Sequence, residues 1–205
     1  MATIETLFPT HLYRARLGGP SEKALLADLA RACRAIADDD AAGQAWCEKH
    51  RYLGYTSYGS LTDLGWRDPT FATLEERLAP HVNAFAVAAE FDLGGRALAL
   101  DNLWINILEP GGMHNGHIHP HAAVSGTLYI ETPEGAAPLK LEDPRLPLMM
   151  AAPPRKGRAK PENRRFVTVT PTPGTVLLWE SWLRHEVPMN DGDAERVSIS
   201  FNYRW

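Results

Sequence analysis

The sequence predicts a mainly β chain with helices at its N-terminal end, because its texture changes near residue 95. Before that point amphipathic segments have helical spacing, and from Arg96 onward short β-branched or alternating runs are separated by Pro and Gly. With 205 residues, 44% of them hydrophobic, the chain can bury one sizeable core. We therefore expect one domain over residues 1–205, in which a mostly helical part, 1–95, packs outside an antiparallel sandwich or barrel formed by 96–205.

Two helices are expected in the helical part. The first covers residues 21–37, with Ser21 as its N-cap. The second begins at Asp68, the cap, with Pro69 in the first helical position and Pro80 expected to kink or split it. Their apolar faces would be formed by Leu25, Leu29, Ala32 and Ile36 in the first, and by Leu74, Leu78, Val82, Phe85 and Ala89 in the second.

Six strands are expected in the β part, over residues 97–108, 124–131, 138–141, 166–170, 175–179 and 196–203. The last strand alternates clearly between apolar and polar residues. Val197, Ile199, Phe201 and Tyr203 fall on one face, and Arg196, Ser198, Ser200 and Asn202 on the other. One face should pack, and the polar face should either meet water or line a pocket.

Charge and hydropathy exclude two classes of partner. The net charge of −4 gives no electrostatic footprint for nucleic acid, and no stretch reaches the roughly 18 apolar residues of a membrane span. The first residues lack the apolar run of a signal peptide, and Cys33 and Cys47 form no CxxC pair. We expect a cytoplasmic protein with reduced, packed thiols.

The basic segment 151–165 carries six basic residues, one Glu and three prolines, which predicts a long loop. The loop is a solvated connector, a lid over a site that could attract an anionic substrate, or a contact for an acidic partner.

Four of the eight histidines lie between His114 and His121. If residues 116–120 are extended, His117 and His119 point to the same side, about 6.6 Å apart along the chain, where one metal ion can reach both. An HxH pair needs a further ligand, and the best candidate is His185, just beyond the strand that ends at Trp179. The remaining histidines are isolated or flank the motif.

Arg196 follows His185 by eleven positions and shares a strand face with Ser198. An arginine with a hydroxyl two positions later can bind a carboxylate through a charge-assisted fork and one further hydrogen bond. The polar face of the last strand therefore more readily lines a pocket than faces bulk water.

Several short motifs occur in a fixed order along residues 7–202, and their order and intervals are specific. They are Leu7-Phe8-Pro9-Thr10, Trp104-Ile105-Asn106, His117-Ile118-His119-Pro120, Ser125-Gly126-Thr127-Leu128-Tyr129, Asp143-Pro144-Arg145, Pro173-Gly174 through Trp179, His185, and Arg196-Val197-Ser198-Ile199-Ser200-Phe201-Asn202. In this order the chain resembles the 2-oxoglutarate/Fe(II)-dependent dioxygenase superfamily, and within it a bacterial branch with an HxH motif.

The resemblance implies a double-stranded β-helix, a jelly-roll or cupin-like fold, with the helical layer outside. It further implies Fe(II) on His117, His119 and His185, with 2-oxoglutarate as cosubstrate. Oxidative decarboxylation of 2-oxoglutarate to succinate and CO₂ would be coupled to oxidation of a small-molecule or peptide substrate that the sequence does not identify. Contacts to the cosubstrate would come from Arg196, Ser198, Asn106, Tyr129 and Ser125.

One position departs from the wider superfamily, in which a carboxylate usually follows the first histidine. Here that position is His119, so the third ligand is either this imidazole or a carboxylate such as Asp143. Two alternatives remain open: a cupin-like three-His metalloenzyme that uses no 2-oxo acid, and a metal- or ligand-binding module without turnover. An exposed sheet edge would also permit a homodimer.

Overall fold

Ten strands and four α-helices form the fold in the computed structural model, which describes residues 1–205. The helices are α1 (Glu22–Asp39), α2 (Ala41–His50), α3 (Leu64–Arg67) and α4 (Pro69–Ala88). The strands are β1 (Leu12–Arg16), β2 (Gly54–Thr56), β3 (Ala99–Leu108), β4 (His114–His117), β5 (Val124–Glu131), β6 (Leu139–Glu142), β7 (Phe166–Val169), β8 (Thr175–Glu180), β9 (His185–Val187) and β10 (Arg196–Arg204). Short 3₁₀ turns cover Leu146–Leu148 and Pro161–Asn163.

The strands form two antiparallel sheets, which confirms the predicted mainly β class. The larger sheet has the order β1-β8-β5-β10-β3-β2, and the smaller has the order β4-β9-β6-β7. All six predicted strands are present to within two residues. Strands β1, β2 and β9 are not predicted from the sequence, and only an extended segment over residues 116–120 is predicted near β4, because strands of three to five residues carry little periodic signal.

Two hydrophobic cores hold the layers together. The larger core joins α1 and α4 to one face of the six-stranded sheet, so the helices pack outside the sheets as predicted. The smaller core lies between the two sheets and includes Tyr129 and Trp179 from the larger sheet and Leu139, Leu141 and Val187 from the smaller one. Apolar side chains therefore fill only part of the space between the two sheets.

Strand β10 follows the predicted alternation. Val197, Ile199, Phe201 and Tyr203 all belong to the core beneath the helices. The opposite face points between the sheets, where Arg196 and Ser198 are 2% and 1% exposed. A polar face buried this deeply is unusual for a sheet and indicates that its side chains have polar partners or ligands.

The helix boundaries follow from local capping. The Asp68 carboxylate accepts a hydrogen bond from the backbone N–H of Thr70 (2.7 Å), as predicted, and Asp40 accepts one from Gly43 (3.0 Å) to begin α2. Ser21 precedes α1 but makes no capping hydrogen bond, because its backbone is left-handed (φ 59°). Pro80 does not split α4, since it lies on the exposed side of the helix, where water can bind the freed carbonyl group.

Gly126 explains the Ser-Gly motif in β5. A Cβ atom at this position would lie 2.4 Å from the Phe201 ring and 2.7 Å from the carbonyl oxygen of Leu177, on the strands to either side. Only glycine therefore allows the three central strands to pair at this register.

Both cysteines, Cys33 and Cys47, are free and buried, and burial raises the pKa of the Cys33 thiol to about 12. The four helices are each too short or too polar to cross a bilayer.

Replacing Leu74 by Ala should lower the free energy of unfolding by about 2–5 kcal/mol, because Leu74 is fully buried between α4 and the sheet. Val87 lies on the same helix but is 79% exposed, so Val87→Ala should change stability by less than about 0.5 kcal/mol. Urea denaturation of both variants measures the difference. Equal effects would mean that α4 does not pack as described.

Candidate metal centre

The pairing of β4 with β9 brings two histidines face to face. His117 and His185 are direct cross-strand partners in this antiparallel pair. His119 follows β4 by two residues, and its backbone N–H donates to the carbonyl oxygen of Ser181 (3.0 Å). Ring centroids lie 4.4 Å apart for His117 and His185, and 5.1 Å from each of these to His119. One potential ligand atom from each ring lies within 4.8 Å of the others.

Each of these imidazoles is oriented by a carbonyl group on its Nδ1 side. His117 Nδ1 donates to the backbone oxygen of Asn115 (2.6 Å), and His185 Nδ1 donates to that of Leu183 (2.9 Å). His119 Nδ1 donates to the side-chain oxygen of Asn202 (2.8 Å). Because a carbonyl oxygen only accepts, every Nδ1 carries the proton and every Nε2 keeps its lone pair. This is the tautomer that metal-binding histidines use.

Burial disfavours the charged form of two of the three histidines. Desolvation, with a smaller contribution from the neighbouring His117, lowers the pKa of His119 to about 4 and that of His185 to about 3. Nε2 of His119 is also buried without a hydrogen-bond partner. Neutral imidazoles with an unused buried lone pair are suited to a divalent transition metal, so this donor set fits Fe(II).

Ser125, which the resemblance assigns to the cosubstrate, lies behind His119. Its hydroxyl donates to the Asn202 side-chain oxygen (2.7 Å) and contacts the Ser181 hydroxyl at 2.8 Å. Asn202 therefore accepts from both His119 and Ser125, which fixes its amide orientation. Ser125 is fully buried and lines neither of the two cavities beside the histidines.

A small inner cavity of about 60 Å³ extends from the histidines to Arg196 and Ser198. An Arg196 Nη1–H donates weakly to the Ser198 hydroxyl (3.3 Å), and the guanidinium carbon lies 5.0 Å from the centre of the Tyr129 ring. None of the ion pairs in the structure involves Arg196, although it is only 2% exposed. A buried cation without an anion is costly, so this cavity is suited to a carboxylate.

Further unused donors surround this guanidinium. Tyr129 Oη, Trp179 Nε1 and Arg196 Nε are all buried without a hydrogen-bond partner. Of these residues, Trp179 and Arg196 line the inner cavity, and unsatisfied donors there fit an acceptor-rich ligand such as a dicarboxylate. The residues present therefore fit 2-oxoglutarate as well as the metal.

His114 is a fourth histidine of the centre whose place the sequence did not reveal. It lines the inner cavity together with Arg196, and its Nε2 lies 2.7 Å from the hydroxyl of Tyr52. Burial, with smaller contributions from the charges of Arg196 and His117, lowers the pKa of His114 to about 3. Tyr52 lies just after α2, and no sequence signal could have placed it here. From the sequence, His114 only flanks the HxH motif, and an indirect, substrate-contacting or solvent-exposed role was expected for it rather than direct metal ligation.

Asn106 is hydrogen-bonded within the larger sheet, and Asp143 lies in a separate cavity. The Asn106 amide accepts from the Thr56 hydroxyl (3.0 Å) and donates to the Ser200 hydroxyl (3.1 Å), so its polar atoms are engaged within the sheet. Asp143 forms an ion pair with Arg145 (2.8 Å) and lines a separate cavity beside the N-terminal segment. The structure does not bring Asp143 to the three histidines.

An outer pocket of about 580 Å³ opens on the other side of the centre. It shares His114, His117, His119 and Trp104 with the inner cavity, and the Trp104 ring stacks on His119 at 5.7 Å between ring centroids. None of the residues of the basic segment 151–165 lines either cavity.

The architecture is thus a β jelly roll with a histidine cluster and a buried arginine between its sheets. A family model described as "Putative 2OG-Fe(II) oxygenase" matches residues 102–202, which contain the three histidines and Arg196. Over these 101 of its 205 residues the chain is similar to the 2-oxoglutarate/Fe(II)-dependent oxygenases, and the three histidines of this region form a possible metal site. No curated protein sequence matches the chain.

Solved structures share the fold at low sequence identity. AviO1 from Streptomyces viridochromogenes Tue57 is 13% identical, with a TM-score of 0.62 over 96% of this chain and 90% of AviO1. A Trichoplax adhaerens prolyl hydroxylase, solved with a hypoxia inducible factor peptide fragment, is 14% identical, with a TM-score of 0.58 over 94% and 83%. The epimerase SnoN from nogalamycin biosynthesis is 17% identical in its complex with Fe³⁺, alpha ketoglutarate and nogalamycin RO, with a TM-score of 0.59 over 95% and 79%.

Replacing Asn202 by Ala should weaken metal binding about 10- to 100-fold, because the Nδ1 side of His119 loses its acceptor. Asn115→Ala is the matched control, since the backbone oxygen of Asn115 orients His117 and its exposed side chain does not. Competition for Co(II) against a chromophoric chelator measures both affinities. Equal affinities in the two variants would contradict the assigned role of Asn202.

Proposed function

We propose that this chain couples the oxidative decarboxylation of 2-oxoglutarate to the oxidation of an organic substrate, with Fe(II) bound by His117, His119 and His185. The observation that carries the proposal is the meeting of three carbonyl-oriented imidazoles beside a buried arginine that lacks an acidic partner. When bound, Fe(II) supplies the activation of dioxygen, and the chain's own residues bind, orient and shield the reactants.

In this proposal Arg196 and Ser198 bind the far carboxylate of 2-oxoglutarate. The guanidinium fork and the hydroxyl at the closed end of the inner cavity provide charge-assisted hydrogen bonds to two oxygens. Tyr129 supports the guanidinium with its ring and offers an unused hydroxyl. A neutral His114, held by Tyr52, adds a polar group at the same cavity without adding charge.

Asn106 and Ser125 act indirectly in this proposal. Asn106 orders Ser200 on the cavity face of β10, and Ser125 orders Asn202, which in turn holds His119. Both residues are therefore positioning residues, although the resemblance alone assigns them to the cosubstrate.

The charge of the centre is consistent with a dianionic cosubstrate. Three neutral imidazoles leave the full charge of about +2 on Fe(II), whereas a set with one carboxylate leaves about +1. The two carboxylates of 2-oxoglutarate neutralise that charge. Arg196 remains as the additional cation, and it faces the end of the ligand that lies away from the metal in this arrangement.

The two alternatives from the sequence are less well supported. A cupin-like three-His enzyme without a 2-oxo acid, and a binding module without turnover, both leave Arg196 and its neighbouring unsatisfied donors without a ligand. Unused buried donors of this kind cost stability, so a carboxylate ligand gives them a reason to be present.

We also propose a compartment, a domain organisation and an oligomeric state for the chain. The free, buried cysteines support a reducing, cytoplasmic environment. We treat residues 1–205 as one domain, since the larger core joins helices of the first part to strands of the second. A homodimer through an open sheet edge, such as that of β7, is part of the same proposal.

Protein purified without a histidine tag and reloaded with Fe(II) should form succinate from 2-oxoglutarate in an O₂-dependent, uncoupled reaction. His185→Ala should abolish both metal binding and succinate formation, because one of the three ligands is lost. Asp143→Asn should preserve both, since Asp143 lies in another cavity. Metal bound without 2-oxoglutarate binding would favour the cupin-like alternative, and binding of both without turnover would favour the binding module.

Arg196→Met should raise the KM for 2-oxoglutarate about 30- to 150-fold, since a buried charged hydrogen-bond partner is worth about 2–3 kcal/mol. Metal affinity should stay near that of the unmodified protein. Arg31→Met, at an exposed position of α1, serves as the matched control and should leave KM unchanged. An unchanged KM in Arg196→Met would remove the arginine from the cosubstrate site.

A further inference from the structure

The outer pocket is the place from which a substrate reaches the metal centre. It borders His117 and His119 directly, and it is far larger than the inner cavity, about 580 against about 60 Å³. Under the proposed function, the inner cavity holds the cosubstrate. The chemistry of the outer walls therefore selects the substrate.

Aromatic rings form much of these walls. Trp46, Tyr52, Tyr58 and Trp104 all line the outer pocket. Tyr58 is 58% exposed and meets Trp104 edge to face, with 5.2 Å between ring centroids. An exposed tyrosine backed by a buried tryptophan in the wall of a pocket is suited to contact with a ligand. The faces of tyrosine and tryptophan rings attract positive charge.

The walls of the outer pocket also contain two oxygen acceptors, one from a carboxylate and one from a side-chain amide. Asp101 is the only Asp, Glu, Lys or Arg among the lining residues. The side-chain oxygen of its neighbour Asn102 is buried without a hydrogen-bond donor. A buried acceptor without a partner is costly until a ligand supplies an N–H or O–H group. Asp101 does contact Arg204 at 3.3 Å, but this arginine is outside the lining and 66% of its side chain is exposed, so their interaction is weak.

The two cavities therefore have opposite electrostatic character. The inner cavity ends at an unpaired arginine and accepts an anion, whereas the outer pocket offers π faces, one carboxylate and one unpaired carbonyl oxygen. A metal ion of charge +2 with a bound dicarboxylate has no net charge, and the remaining positive charge, on Arg196, belongs to the inner cavity and not to the outer pocket. The dicarboxylate would thus remove the repulsion between the metal ion and a cation held in the outer pocket.

We propose that the substrate carries a positively charged nitrogen, as an ammonium, alkylated ammonium or guanidinium group, close to the carbon that is oxidised. This inference rests on the proposed function. The cationic group lies against the aromatic walls and Asp101, and its N–H groups or a neighbouring donor satisfy Asn102. In the reaction, a substrate C–H bond becomes C–OH with one oxygen atom of O₂, and the other oxygen atom enters succinate as 2-oxoglutarate loses CO₂.

Choline and its uncharged isostere 3,3-dimethyl-1-butanol test this inference, because they differ in shape very little and in charge by one unit. Tryptophan fluorescence reports binding, since Trp46 and Trp104 line the pocket. The titration uses the full chain loaded with Zn(II) and 2-oxoglutarate, which cannot turn over. We expect choline to bind at least about 10-fold more tightly than the alcohol.

Matched variants locate the binding site. Asp101→Asn and Tyr58→Leu should each weaken choline binding about 3- to 10-fold and change binding of the alcohol little. Glu109→Gln is the control, since Glu109 is an exposed acid just beyond the other end of β3 and does not line this pocket. Circular dichroism checks that each variant is folded.

The outcomes separate this inference from the proposed function. If the alcohol binds as tightly as choline, or if the Glu109 variant loses as much affinity as the Asp101 variant, the cationic substrate class is wrong whatever the succinate assay shows. If choline binds as expected but Fe(II)-loaded protein forms no succinate, the pocket assignment stands and the oxygenase proposal fails.

Discussion

The antiparallel pairing of β4 with β9 is the contact on which the centre depends. It sets His117 opposite His185, and the chain beyond β4 then carries His119 to within 5.1 Å of both rings. These strands have only four and three residues, so they have few hydrogen bonds of their own. The longer strand β10 compensates, because the side-chain oxygen of its Asn202 accepts a hydrogen bond from Nδ1–H of His119. A short and weak strand pair can thus hold a precise cluster only because a rigid central strand supports it.

The distribution of charge explains how the region around the inner cavity can bind both a metal ion and a dicarboxylate. Three histidines, two of them with a pKa lowered by burial, present lone pairs to a cation, and at the other end of the same cavity Arg196 presents an unpaired positive charge to an anion. A buried lone pair or a buried charge without a partner lowers the stability of the protein. The metal ion supplies the partner for the imidazoles and the dicarboxylate supplies the partner for Arg196. Such a site lowers the stability of the protein without ligands and raises its affinity for a metal and a dicarboxylate bound together.

The helical layer contributes more than a cover for the sheet. Trp46 comes from α2, and Tyr52 and Tyr58 come from the segments that flank β2, yet all three reach the outer pocket. Tyr52 also contacts His114 of the inner cavity. Change in this N-terminal part therefore alters the substrate side of the site while leaving the β-sheet centre in place, which fits a superfamily whose fold is shared at 13–17% identity.

The sequence by itself determined the features that repeat locally: the buried faces of α1 and α4, the two-sided character of β10, the HxH pair and the Arg196-Ser198 pair. The helical period of 3.6 residues and the strand period of 2 residues are both visible among neighbouring positions of the sequence. They can therefore be recognised without knowledge of distant contacts. The choice of His119 rather than Asp143 beside the other histidines, the use of Asn202 as its support, and the approach of Tyr52 to His114 were decided only by the tertiary structure. These contacts join residues 83 and 62 positions apart, and they depend on the registers of several strands at once, which no local pattern encodes.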